Sequence, residues 1–438
     1  MNGHARCGAG RRSGGRAVAL ALVALAAWLA VVPSPSASAQ DSAPAAPKPL
    51  AVGTDGTELP PELAAVAAEV VPLVEKETGV RLEGKLPLRI DPDDVPARLL
   101  ENRAATVAFV AHVAVLAADE ARYRTGEKAA SIEEEEARLA YRAVVEGHAL
   151  HVARKICGKE GADGFVAYVA SLETVPESEN LDDAARLARR REIAQRTAIR
   201  RAGKRFMREI AEKGGPEAVE RAFTDPPTEL LVVEDPEWFL EPAARPEISY
   251  DLDHGLSRIA VVSGGFYRGQ RITATPEQLR AALAPLPEEE VRRVVANLVA
   301  NRTAILTPRE SGRGSAIVGS LYRFSSPVDA IRHLATAEHI LRTRNERERK
   351  PAGDGPMLEE VTYEPVQGSV GTGIFAAKVL RSPDDKEIRI RTLIVTRGCL
   401  VLEITDSRNE TGSPDREAME EWASAVLDAA RIETRSGR

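Results

Sequence analysis

Aromatic side chains are scarce in this chain, 4% of its 438 residues, so its cores must be built mainly from Ala, Leu and Val. A basic surplus is also missing. Of 59 basic residues four lie in a leader without acids, which leaves 55 against 66 acidic ones and a net charge of −11. Such a balance excludes an electrostatic footprint for nucleic acid or anionic lipid. The arginine-rich run within DDAARLARRREIAQRTAIRRAGKRFMREIAEKG is flanked by acids and reads as a solvated helix face. Cysteine is rare: Cys7 belongs to the leader, which leaves Cys157 and Cys399 in segments read as different domains. They are either a candidate disulfide stapling the two or a pair of small core residues. Glycine-rich Ser263–Gly269 lacks both a strand–GxGxxG–helix setting and a P-loop lysine, so it reads as a turn. No Ser-His-Asp or Cys-His arrangement stands out by spacing, and there is no internal repeat.

What is present begins with a leader. Arg6, Arg11, Arg12 and Arg16 precede the apolar run Ala17–Val32, and PSPSASA ends in a small-x-small site, which predicts cleavage between Ala39 and Gln40. The expected mature protein is exported, periplasmic or secreted, with no membrane span after cleavage. Residues 40–58 form a flexible Pro/Ala-rich linker. From 59 to 245 the apolar spacing is helical, apart from a short strand expected at Leu86–Ile90. From 246 to 438 the pattern changes. A helical pair spans Thr275–Arg302, a strand Ala316–Phe324, and a helix opens at Ser326-Pro327. Alternating strands such as GTGIFAAKVL and KEIRIRTLIVT follow, then a last helix from near Ser413-Pro414. The expected fold class is α+β: a mainly helical first domain, then a smaller α+β domain with one antiparallel sheet and two helices. Asn301 and Asn409 open glycosylation triplets, a pattern common by chance.

The first domain is organised around two stretches. In RAATVAFVAHVAVLAADE, Ala104 to Ala118 contain only Thr106 and His112 as polar members, which predicts a helix buried all round. Its partner, EEEARLAYRAVVEGHALHVARKIC, carries Glu146, His148 and His151. Together with RAGKRFMREIAEKGGPEAVERAF and DPPTELLVVEDPEWFL, these stretches resemble the gluzincin-type zinc metallopeptidases. In that family an HExxH helix precedes a helix with an E-G-[DE]-A-like glutamate, and a P-P-[TS] segment closes the domain. The family pattern implies two histidines at i and i+4 on zinc, a glutamate as general base beside the first, and a later glutamate as third ligand.

In that register VAHVAVLAADE places His112 at the first histidine, Val113 at the general base and Leu116 at the second histidine, while Glu146 matches the third ligand. After P-P-T, Glu229–Val232 replace a polar stretch, and Asp235 replaces a histidine before Pro236. No HExxH occurs anywhere, and valine cannot take a proton from water. The resemblance therefore implies an inactive, metallopeptidase-like domain with a binding or scaffolding role toward an unknown protein or peptide partner, with no cofactor expected. The alternative is a zinc-dependent hydrolase with a rearranged site of His112, Glu146 and His148 or His151, the last two being close on a helix surface at i and i+3. His112 and Glu146 could also simply satisfy each other as buried polar groups.

Overall fold

The computed structural model describes residues 61–82, 102–158, 161, 164–165, 168, 181–263, 267–284, 286–308, 316–349, 356–366, 370–383, 385–408 and 414–434. The leader with Ala39 and Gln40, the 40–58 linker, the strand expected at Leu86–Ile90 and the Asn409 triplet lie outside the described residues. The rest is α+β and forms two compact units, 61–247 and 248–432, with 433–434 grouped with the first.

The first unit is helical. Helix α1 (Pro61–Thr78) buries Leu63, Val66, Val70, Val71 and Val74, one face at helical spacing, and ends at Gly79, whose φ of +70° suits a residue without Cβ. Helix α2 (Arg103–Tyr123) starts where the Asn102 side chain accepts from the Ala105 amide. Ala105, Ala108, Ala111, Ala114, Val115 and Ala118 lie within its core, so small side chains bury it on nearly every side. By length and composition alone α2 could cross a membrane. Of its most apolar window 67% is buried inside the domain, as in a core helix.

A short helix α3 (Thr125–Ser131) leads to α4 (Glu135–Cys157), which has acids in its first turn and Arg154 and Lys155 in its last, both suited to the helix dipole. Helix α5 (Asp183–Thr224) is capped by the Asp182 side chain and kinks at Gly215 (φ +67°), followed by Pro216. The expected solvated face is present in part: Arg189, Arg205 and Arg208 are exposed, Arg190 and Arg191 have buried guanidinium nitrogens, and Arg200 is 7% exposed at its side chain. Helices α6 (Leu230–Glu234) and α7 (Pro236–Leu240) close the unit.

The second unit is built on a seven-stranded antiparallel sheet: β2 (Tyr267–Ile272), β3 (Leu298–Pro308), β4 (Ala316–Phe324), β5 (Met357–Val366), β6 (Thr372–Arg381), β7 (Glu387–Arg397) and β8 (Leu400–Arg408). The strand order is β2-β3-β4-β8-β7-β6-β5. β1 (Glu247–Tyr250) and β9 (Arg431–Thr434) pair separately. On one face Ile317, Leu321, Leu393, Val395, Leu402 and Ile404 pack under α8 (Leu252–Val262) and α12 (Arg416–Ala430). The opposite face, offset by one residue along each strand, meets α11 (Pro327–Glu348), with α9 (Pro276–Ala282) and α10 (Glu288–Asn297) beside it.

Three local expectations need correction. The helix expected to run to Arg302 stops at Asn297, and the chain continues as β3 because pairing with β4 and alternate burial of Ala304 and Leu306 outweigh local helix propensity. Of the turn expected at Ser263–Gly269, Tyr267–Gly269 are instead the start of the edge strand β2, while 264–266 lie outside the described residues. Three helices accompany the two expected against the sheet, giving α layers on both faces. Asn301 is buried: its side chain accepts from the Ala274 amide at 2.8 Å and donates to the Ala274 carbonyl at 3.1 Å, which leaves no place for a glycan.

Candidate functional site

α4 and α5 cross where two glycines meet. A Cβ on Gly147 would lie 2.2 Å from the Gly203 backbone, and one on Gly203 would lie 1.8 Å from the Ala143 carbonyl oxygen, so neither position accommodates a side chain. This contact brings α5 close enough for Arg200, one turn before Gly203, to reach Glu146, the residue before Gly147. Arg200 Nε donates to Glu146 Oε2 at 3.2 Å. From the other side α2 presents His112, whose Nε2 lies 3.4 Å from the same Oε2. That is an ion-pair distance without hydrogen-bond geometry, and among the described residues Nε2 has no hydrogen-bond partner. The Tyr168 hydroxyl sits 2.5 Å from His112 Nδ1. Burial pushes the Tyr168 hydroxyl pKa well up, so it stays protonated and can donate to Nδ1, which puts the imidazole proton on Nε2, toward Glu146.

The cluster is interior: the His112 and Arg200 side chains are 4% and 7% exposed. Glu146 keeps 20% of its side-chain surface although protein packs around it, so its carboxylate is an interior group wetted at one edge. Burial would raise its pKa. The Arg200 charge and the His112 contact outweigh burial and hold it well below the ordinary carboxylate range. Glu146 is therefore an anion held between a guanidinium and an imidazole.

Asp119 and His148 form a second buried pair one helical turn or more along. His148 Nδ1 lies 2.9 Å and 3.0 Å from the two Asp119 oxygens, and the ring packs edge-on to Phe223 at 5.2 Å. Burial raises the Asp119 pKa, and His148 opposes the rise. His151 is half-buried on the same helix, and burial lowers its pKa, with His148 and Lys155 adding to the fall. At the remaining motif positions Val113 is 4% exposed and Leu116 packs against the α1–α2–α4 core. Glu229 forms a two-pronged pair with Arg245, and Asp235 precedes α7. Both cysteines carry free thiols, Cys157 against the first unit's core and Cys399 buried in the second.

The residues do not fit zinc. A tetrahedral site needs three protein ligands and an open position. Here only His112 Nε2 and the Glu146 carboxylate face one another as ligands of a shared cation would, and the cation between these helices is the Arg200 guanidinium. The third position is hydrocarbon, and His148 is turned to Asp119. Among the described residues no group of three His, Cys, Asp or Glu side chains converges as metal ligands do.

Of the sequence-predicted residues the structure thus brings together His112 and Glu146, and it separates His148 into another pair. Sequence reasoning missed Arg200, Tyr168 and Asp119. The glycine one turn after Arg200, matching the glycine beside Glu146, was the signal that could have found the first. No family model and no curated protein matches this chain. Among solved structures, the extracellular domain of PknH from Mycobacterium tuberculosis is similar over 39% of this chain and 89% of that one, at 11% identity and a TM-score of 0.25, too distant a likeness to bear on function.

Proposed function

We propose that this is an exported, non-catalytic protein whose first domain is a metallopeptidase-like helical scaffold, with a fixed cation in the place a catalytic metal would take. The observation that carries the reading is the Arg200–Glu146 contact of 3.2 Å. A carboxylate inherited from a metal ligand would be an unpaired buried charge without its cation, at a cost of several kcal/mol. A guanidinium from the neighbouring helix supplies the neutralising charge. The same guanidinium repels an incoming divalent ion. With Val113 where a general base would stand, no group is placed to activate water, and the site's polar atoms serve to lock α2, α4 and α5 together. The domain's role is then to present its surface to a protein or peptide partner.

The test is hydrolysis of casein and of a fluorogenic peptide library by the mature chain, with and without added zinc. The expected result is no turnover above a heat-treated control. Peptidase activity abolished by a chelator and by His112→Ala would overturn the reading.

A further inference from the structure

A second site lies in the other domain, between the sheet face under α11 and the helices α9 and α10. Leu279, Leu283, Val294, Val295, Leu298 and Leu341 make the walls of a cleft that is partly open to solvent. Three polar side chains enter this apolar cleft: His333 and Arg344 from α11, and Glu403 from β8.

His333 is 8% exposed, wedged between Tyr322 and Phe324 at ring distances of 5.2 and 4.8 Å, and its Nδ1 has no hydrogen-bond partner. A buried ring nitrogen left unpaired is destabilising unless something else meets it. Glu403 is likewise reached by no hydrogen bond or ion pair among the described residues, and burial raises its pKa, with only the field of Arg344 opposing. Arg344 itself is engaged, its Nε 3.1 Å from Glu348, which also accepts from the buried Lys378 at 2.5 Å. Arg344 is thereby held by a partner within the protein rather than left for a ligand.

We infer that the cleft binds a small neutral amphiphile, an apolar chain or ring with one uncharged hydrogen-bonding head, whose head meets His333 Nδ1 and Glu403 while its apolar part fills the space between α9, α10 and α11. The apolar walls select hydrocarbon, and the two unpartnered polar groups select a head that can hydrogen-bond. With Arg344 already paired to Glu348, an ionic head would bring an uncompensated charge into a low-dielectric site. Nothing in this assignment depends on the state of the first domain, so its failure would leave the scaffold reading untouched, and the reverse also holds.

The experiment titrates the full mature chain with N-phenyl-1-naphthylamine, a neutral fluorescent probe with one N–H, and then displaces it with decan-1-ol, decanoate and decylamine. The expected result is saturable probe binding at one site, displaced at least about tenfold more effectively by the alcohol than by either ion. Ala337→Trp, which fills the cleft from α11, and Val295→Glu, which puts a charge on the half-exposed α10 wall, should each weaken the probe about tenfold or more. Both effects count only in variants with unchanged circular dichroism, and two variants are used so that one misfolding does not remove the test. No saturable binding, binding unaffected by a folded variant, or preference for either charged amphiphile would overturn the inference.

Discussion

The Glu146 carboxylate has three neighbours that matter: Arg200, His112 and, through His112, Tyr168. Removing one partner of such a pair leaves a buried charge, so Arg200→Met should destabilise the first domain by about 3–5 kcal/mol in urea titration. Adding Glu146→Gln to that variant should recover a large part of the loss, because the orphaned charge goes with it; equal losses in single and double variants would show that the pair is not coupled. The pH dependence has a definite sign. The Glu146 pKa in the folded chain lies below its ordinary value of 4.5, so its stabilisation is present above that pH and is lost as pH falls toward the folded value. Glu146→Gln should flatten this acid limb. His333 acts in a higher window: burial depresses its pKa from 6.5 to about 4, so the unfolded chain gains the proton first and stability falls between those two pH values. A melting-temperature profile of His333→Phe should show a reduced slope between pH 6.5 and 4, where His151 also contributes, and an unchanged one below it.

At the scale of elements, the crossing of α4 and α5 positions the site. Gly203→Ala would place a methyl group 1.8 Å from the Ala143 carbonyl oxygen, and backbone cannot yield as a side-chain tip does. The expected cost is on the order of 1–3 kcal/mol or more, read as a drop in the thermal midpoint, and an unchanged midpoint would mean the helices do not touch there. Elements were legible where one periodicity dominated. The alanine-rich run of α2 and the Asn-capped start it follows could only be a buried helix. The alternation in β6 and β7 could only be strand. Leu298–Arg302 was misread as helix because it follows α10 with no glycine or proline between them, and local preference does not separate a helix tail from a strand whose partner, β4, lies further on. The pair of His112 with Glu146 was legible from motif register. Arg200 was not, since an arginine within a basic helical run looks like its solvated neighbours until the Gly147–Gly203 contact turns it inward.

For the molecule as a whole, the proposal is that a side chain of the first domain takes the place of a metal and that the leader is an address removed on export. Mass spectrometry of the exported protein should find Gln40 at the mature N-terminus; a chain retaining Ala17–Val32 would instead be anchored. The central claim is that Arg200 takes the place of the metal, and metal content tests it most directly. The mature chain, purified without a tag, incubated with excess zinc and then desalted, should carry well under one equivalent by elemental analysis, and its melting temperature should not respond to a chelator. About one equivalent of bound zinc, lost in Glu146→Ala, would contradict the account.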